Sequence, residues 1–230
     1  RRRHYLDLTI SQVDPKYSEN LTEYNQALTQ RNALLKQLLE RAGDPDQLSF
    51  WDEKLTRSGS YLIHSRILAI QELGSRASAI HQELTRGEEV LRLHYQPAYD
   101  PLPSPSRQIK LPLEDQPDRS TMGLNEIQEG FRERLLSLRK EEISRGFTTL
   151  GPHRDDMNLI SNGIDLGNFG SRGQLRTAML ALKLAEVSWL KDKNGDWPVL
   201  LLDEVLAELD DTRRIDLLDR LAKTEQSLLT

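Results

Sequence analysis

The hydrophobic pattern of this 230-residue chain predicts an α/β fold with an inserted antiparallel α-helical arm. Three observations carry that expectation. Pro198-Val199-Leu200-Leu201-Leu202 is an apolar run ending in the adjacent acids Asp203 and Glu204. This is the pattern of a parallel strand covered on both faces, with its acidic tip at the carboxyl edge of the sheet. Gly170-Ser171-Arg172-Gly173-Gln174 precedes an amphipathic run from Leu175 to Lys191, as a glycine-bearing turn opening a helix would. Heptad-like apolar spacing over residues 18–41, and again over 47–86, marks two long paired helices.

In chain order, residues 1–15 are expected to enter as a strand from a larger head, and residues 16–89 to form the arm. Its first helix carries Leu21, Tyr24, Leu28, Leu35 and Leu38, with Arg31 interrupting the stripe. Gly43-Asp44-Pro45 stops it and turns the chain. The second helix carries Leu48, Trp51, Leu55 and Leu62, then shifts by one to Ile63, Ile70, Leu73, Ala77, Ile80 and Leu84. Gly59 and Gly74 each cost roughly 1 kcal/mol relative to Ala and mark places where it can bend. The second helix is the longer, so its surplus must pack on the head rather than on its partner.

Residues 90–230 are expected to form the remaining lobe. Val90 to Tyr95 alternates as a strand. The stretch 96–120 holds six of the ten prolines and reads as a long mobile surface loop. A helix from Leu124 to Ser144 buries Ile127, Phe131, Leu135 and Leu138, with Gly146 as its C-cap. Two short strands, Met157–Ile160 and Ile164–Leu166, flank the turn Ser161-Asn162-Gly163. The helix after Gln174 is expected to bury Leu175, Met179, Leu182, Leu184, Val187 and Leu190. After the acidic strand, Asp211 suits an N-cap, with Ile215, Leu217, Leu218 and Leu221 covering the sheet. Ser227 to Thr230 looks like the opening of another strand.

The chemistry sits at two of these places. In P-loop ATPases the first acid of such a strand tip helps hold Mg²⁺ and the next orients the attacking water, roles that fall here to Asp203 and Glu204. A glycine- and hydroxyl-bearing helix start suits phosphate through free N–H groups, close backbone approach and the macrodipole. The Ser171–Gln174 turn resembles the signature motif of ABC ATPases. The phosphate-cradling Gly-x-x-x-x-Gly-Lys-Ser/Thr loop does not occur, nor does any Gly-Lys dipeptide. The expectation is a piece of a longer ATPase without its nucleotide-binding lobe, inactive alone. His153, Arg154, Asp155 and Asp156 form a loop that either meets nucleotide, DNA or another subunit, or is an internal salt-bridge network.

Composition narrows the class. Apolar content of 37% and charged content of 29% indicate a soluble protein with much solvated helix. No apolar run approaches the roughly 20 residues of a membrane helix, and no leader pattern opens the chain. The absence of cysteine excludes disulfides and thiolate metal sites and fits a reducing cytoplasm. A net charge of −5 leaves nucleic-acid binding to a local patch, for which Arg1–Arg3 is a candidate, against a plain solvated run.

Arg2-Arg3-His4-Tyr5-Leu6-Asp7, Thr149–Asp156, Gly170–Gln174 and Leu201–Asp210 with Arg213 and Leu217 together resemble the RecF family of bacterial recombination mediators, over the whole chain. Glu204 and Leu175 depart from the family's Asp and Gln. The resemblance implies the C-terminal lobe of an ABC/SMC-like ATPase head with a short coiled-coil-like arm. It implies ATP and Mg²⁺ in the full-length protein and none bound to this piece. Asp203 and Glu204 would be catalytic, with Asp203 the metal ligand, and Ser171, Arg172, Gly173, Gln174 and Asp210 would contact nucleotide. It further implies an ATP-dependent homodimer in the cytoplasm and gapped or junction DNA as target. RecR and RecO are the implied partners, in repair, replication and the SOS response. The arm either clamps DNA, docks a partner or pads the lobe. The competing readings are another SMC-like ATPase head and a helical interaction module without nucleotide.

Overall fold

The computed structural model describes residues 2–41, 43–102, 117–202 and 227–229. In chain order the elements are α1 (Arg2–Ser11), α2 (Pro15–Glu40), α3 (Leu48–Leu84), β1 (Leu91–Gln96) and α4 (Leu124–Arg145). There follow β2 (Asp156–Ser161), β3 (Ile164–Asp165), α5 (Leu166–Phe169), α6 (Arg172–Asn194), β4 (Leu200–Leu202) and β5 (Ser227–Leu229). The α/β class is as expected. The chain divides into two compact units, residues 1–71 with 94–157 and residues 72–93 with 158–230. Among the described residues no helix is long and apolar enough to cross a membrane.

The first unit is helical. Residues 2–11, expected as an entry strand, form α1, which buries Leu6, Thr9 and Ile10 at helical spacing. α2 starts at Asp14, whose carboxylate accepts the Tyr17 N–H at 3.2 Å, with Pro15 preset in its first turn. Its buried positions are Tyr17, Tyr24, Ala27, Arg31 and Leu35. Arg31 does not interrupt the stripe; it is part of it. Fully buried, its Nε meets Asp52 at 2.7 Å and its Nη1 meets Glu142 at 2.7 Å.

α2 and α3 run antiparallel, as the nested pairs Arg31–Asp52, Glu23–Arg57 and Tyr17–Arg66 require. Polar side chains bridge them at these points, the expected apolar positions Tyr24, Leu35, Leu48, Leu55 and Leu62 are buried, and α2 packs more closely on α4. Gly59 lies within the continuous α-helical run of α3. A Cβ there would lie 2.8 Å from the Phe131 ring and 2.9 Å from the Tyr24 ring, so the glycine admits two aromatics from the neighbouring helices. α4 ends as expected at Gly146, left-handed with φ 74°.

The second unit holds the rest of α3. The surplus of the longer helix packs on α6: Glu72 accepts from Trp189 Nε1 at 2.7 Å and Lys193 Nζ at 3.0 Å, and Arg76 pairs with Asp192 at 2.8 Å. Burial works against the Glu72 carboxylate, and these hydrogen bonds outweigh it, holding its pKa below the ordinary range. The sheet order is β1-β2-β3, with β2 and β3 antiparallel. Their turn has Asn162 and Gly163 at φ 46° and 81°, the double left-handed geometry of a tight hairpin. β4 and β5 pair in parallel, Leu200 opposite Ser227 and Leu202 opposite Leu229, matching the expected parallel strand and its neighbour. α6 buries Leu182, Leu184, Val187 and Leu190 as expected, together with Ala178, Ala181, Ala185 and Trp189, while Leu175 and Met179, expected inside, are exposed.

Candidate functional site

The described part of the site is the start of α6. Ser171 is its N-cap: its Oγ accepts the Gln174 N–H at 3.1 Å, and its own N–H donates to Gln174 Oε1 at 3.1 Å. This reciprocal box closes two helix-start donors. Leu175 N–H continues the helix to the Ser171 carbonyl at 3.0 Å. The N–H groups of Arg172 and Gly173 precede the first intrahelical donor, Leu175, and have no partner inside the helix. Ser171 Oγ uses a lone pair for the cap, so its hydroxyl proton remains available to an acceptor outside.

The two glycines of the turn serve different ends. A Cβ on Gly170 would fall 2.8 Å from the Leu166 backbone, so internal packing requires that glycine. A Cβ on Gly173 would meet nothing nearer than Ser171 Oγ at 4.0 Å. The chain's own packing does not require Gly173, and the open space above it suits a ligand approaching the backbone. Ser171, Arg172 and Gly173 are exposed. Beside them α5 presents Phe169, 80% exposed. Free N–H groups, a hydroxyl and a positive helix end in water can bind a phosphate oxyanion.

One side chain near this turn escaped the sequence reading. Gln174 Nε2 donates to Glu89 Oε1 at 3.2 Å, and Ser161 Oγ donates to Glu89 Oε2 at 2.8 Å. The backbone around Glu89 is pinned by Asn162. Asn162 Oδ1 accepts the Val90 N–H at 3.0 Å, its Nδ2 donates to the Glu88 carbonyl at 3.1 Å, and its N–H donates to the Val90 carbonyl at 3.2 Å. The only sequence signal was the Asn-Gly turn, which predicts a hairpin and says nothing of what its asparagine holds.

Asp203, Glu204 and Asp210 lie outside the described residues, as do Asp211 and the helix expected after it. β4 leads directly to the acidic pair.

The Thr148–Asp156 loop is an internal network in the first unit. Asp155 is buried and accepts from Arg66 Nη1 at 2.7 Å, Tyr95 Oη at 2.5 Å and the Ala98 N–H at 2.9 Å. Arg66 also donates to Tyr17 Oη at 2.9 Å, the Pro152 carbonyl at 2.7 Å and Asp7 at 2.7 Å. His153 Nδ1 lies 2.6 Å from Tyr24 Oη and Nε2 lies 3.3 Å from the Thr148 carbonyl. A carbonyl only accepts, so the proton sits on Nε2 and the tyrosine donates to Nδ1. Burial lowers the His153 pKa to about 4, so the ring is neutral near pH 7. Arg2 pairs with Asp156, whose pKa that hydrogen bond holds low, and Arg3 donates to the His153 carbonyl. Two of the three arginines proposed as a basic patch are thus engaged within the chain. Arg154 is the exposed member, stacked over Phe147 at 5.5 Å.

No protein-family model matches the chain. The DNA replication and repair protein RecF of Halothermothrix orenii is 41% identical over 230 residues, which is 100% of this chain and 57% of that protein. RecF of Chloroflexus aggregans is 38% identical over 232 residues, 99% of this chain and 55% of that protein. The solved structure of the recombination mediator protein RecF-ATPrS in the RecFOR pathway superposes with a TM-score of 0.82 at 33% identity. It is matched by 100% of this chain over 57% of its own length, and the RecF-ATP structure likewise over 56%. The chain thus spans a little over half the length of the relatives it matches.

Proposed function

Because the chain belongs to the RecF family along its whole length, we propose that it supplies the C-terminal, signature-bearing part of an ATPase that dimerises around ATP in DNA repair. One observation carries the reading: the start of α6 is closed by its own side chains everywhere except where a phosphate would sit. Ser171 Oγ–H and the N–H groups of Arg172 and Gly173 would donate to the γ-phosphate held by the opposite subunit. Gln174 keeps the turn ordered, and Arg172 adds positive charge. Relatives solved with ATP and an analogue support the choice of ligand.

In the same reading Asp203 would hold Mg²⁺, which would neutralise phosphate charge. Glu204 would accept a hydrogen bond from the attacking water and polarise it, and Asp210 would contact the partner's nucleotide. Exposed Phe169, Leu175 and Met179 flank the turn and would be covered when two subunits meet. Hydrolysis removes the γ-phosphate and with it the contacts that favour the dimer. The α2–α3 pair is the short arm of an SMC-like head. The proposed cellular role is that of a cytoplasmic mediator that recognises gapped DNA and helps load recombinase with RecR and RecO; the relatives' names, DNA replication and repair protein RecF, support its DNA-repair part.

Replacing Ser171 with Arg in the full-length protein fills the phosphate position with a bulky side chain. The expected result in sedimentation is loss of the ATP-induced dimer, with nucleotide binding by the monomer retained. An unchanged dimer population refutes the role given to the α6 turn.

A further inference from the structure

We propose that Glu89 is a positioning residue for the phosphate-facing turn at Ser171–Gln174, an inference that rests on the reading of that turn given above. The Gln174 amide has two ends and two orientations, and only its surroundings choose between them. On one side stands the Ser171 N–H, which can only donate; on the other stands a carboxylate, which can only accept. With Oε1 toward Ser171 at 3.1 Å and Nε2 toward Glu89 at 3.2 Å, both demands are met. The flipped amide would face N–H with N–H and oxygen with oxygen. Glu89 therefore fixes the amide, the amide fixes the Ser171 backbone, and the Ser171 hydroxyl is left to donate outward.

Glu89 can serve because it is itself immobilised. Its second oxygen accepts from Ser161 at 2.8 Å, and Asn162 ties the backbone on either side of it with three hydrogen bonds. The carboxylate thus joins the exit of α3, the β2–β3 hairpin and the start of α6, all within the second unit. It touches no phosphate and acts only through Gln174. Without it only the Ser171 N–H holds the amide orientation, and the turn is less firmly ordered before it meets phosphate.

The test uses the full-length protein that carries this chain, with ATP-induced dimerisation followed by sedimentation velocity. Losing one capping interaction is worth about fivefold, and a symmetric dimer contains two such turns, so Glu89→Ala weakens dimerisation about 25-fold. Nucleotide affinity of the monomer stays within about twofold. Glu89→Gln retains an amide oxygen for Gln174 Nε2 and restores dimerisation to within about threefold. Without nucleotide, amide hydrogen exchange over residues 170–175 quickens in Glu89→Ala and not in Glu89→Gln. If Glu89→Ala does not fold, Glu89→Ser, too short to reach Gln174, takes its place with the same expectations.

Ser171→Arg is the control that separates the two ideas. If it abolishes the dimer while Glu89→Ala dimerises normally, or if Glu89→Gln is as defective as Glu89→Ala, the positioning role is wrong and the turn's role stands. If Ser171→Arg also dimerises normally, the role of the turn fails and the Glu89 inference falls with it.

Discussion

Arg66→Met is the perturbation that the first unit should tolerate least. The guanidinium is 1% exposed and donates to four partners from α1, α2 and the 152–155 loop. Methionine approximates the stem but leaves Asp155, buried at 4% exposure, with no cation and only the Tyr95 and Ala98 donors. Removing one partner of a buried ion pair costs about 3–5 kcal/mol, because the remaining charge stays desolvated. Asp7 is more exposed and adds less. A loss of about 4 kcal/mol is a large part of the stability of a domain this size. Urea denaturation followed by tryptophan fluorescence measures it, since Trp51 lies in this unit. Arg66→Met with Asp155→Asn removes the stranded charge and should recover about 1–3 kcal/mol. A single-variant loss below about 1 kcal/mol, or a double variant no better than the single, would refute the view that this network holds the loop.

The remaining expectations are more local. Burial places the His153 pKa at about 4 in the fold, against about 6.5 when unfolded, so the unfolded chain takes the proton first on acidification. Stability is then full above about pH 6.5 and lost as pH falls toward 4, with about 2 kcal/mol lost between pH 7 and 5. Denaturation at the two pH values should show this loss, and His153→Gln should largely flatten it. Gly59→Ala gains roughly 1 kcal/mol of helix propensity but forces Tyr24 and Phe131 apart, an overpacking cost of about 1–3 kcal/mol, so thermal melting should fall. Gly74→Ala meets only Leu93 Cβ at 3.5 Å, and melting should rise.

Where one local rule decided the structure, the sequence was legible. Asn162-Gly163 specified its hairpin and Gly146 its helix end, because turn chemistry and capping depend on residues a few positions apart. The leucine run at 200–202 found its parallel neighbour at 227–229. Where distant residues decided, the reading missed. Arg31 looks like a break in an apolar stripe until Asp52 and Glu142 are brought to it. Arg2 to Ser11 has no strong period, and burial of Leu6 and Ile10 settles it as helix. On α6 the expected Leu182, Leu184, Val187 and Leu190 are buried, but Leu175 and Met179 in its first turns are exposed and small alanines share the buried face. Glu89 carries no motif at all; its importance arises only where three separate segments meet.

Mixing two inactive full-length proteins tests whether phosphate contacts come from the opposite subunit. One carries Ser171→Arg; the other carries a substitution of the lysine in the phosphate-cradling loop, which lies outside this chain. Each alone should fail to hydrolyse ATP. Together they should regain turnover, because a mixed dimer pairs one intact loop with one intact Ser171–Gln174 turn. If the mixture stays as inactive as its components while mixed dimers demonstrably form, the turn does not act across the interface and the account is contradicted.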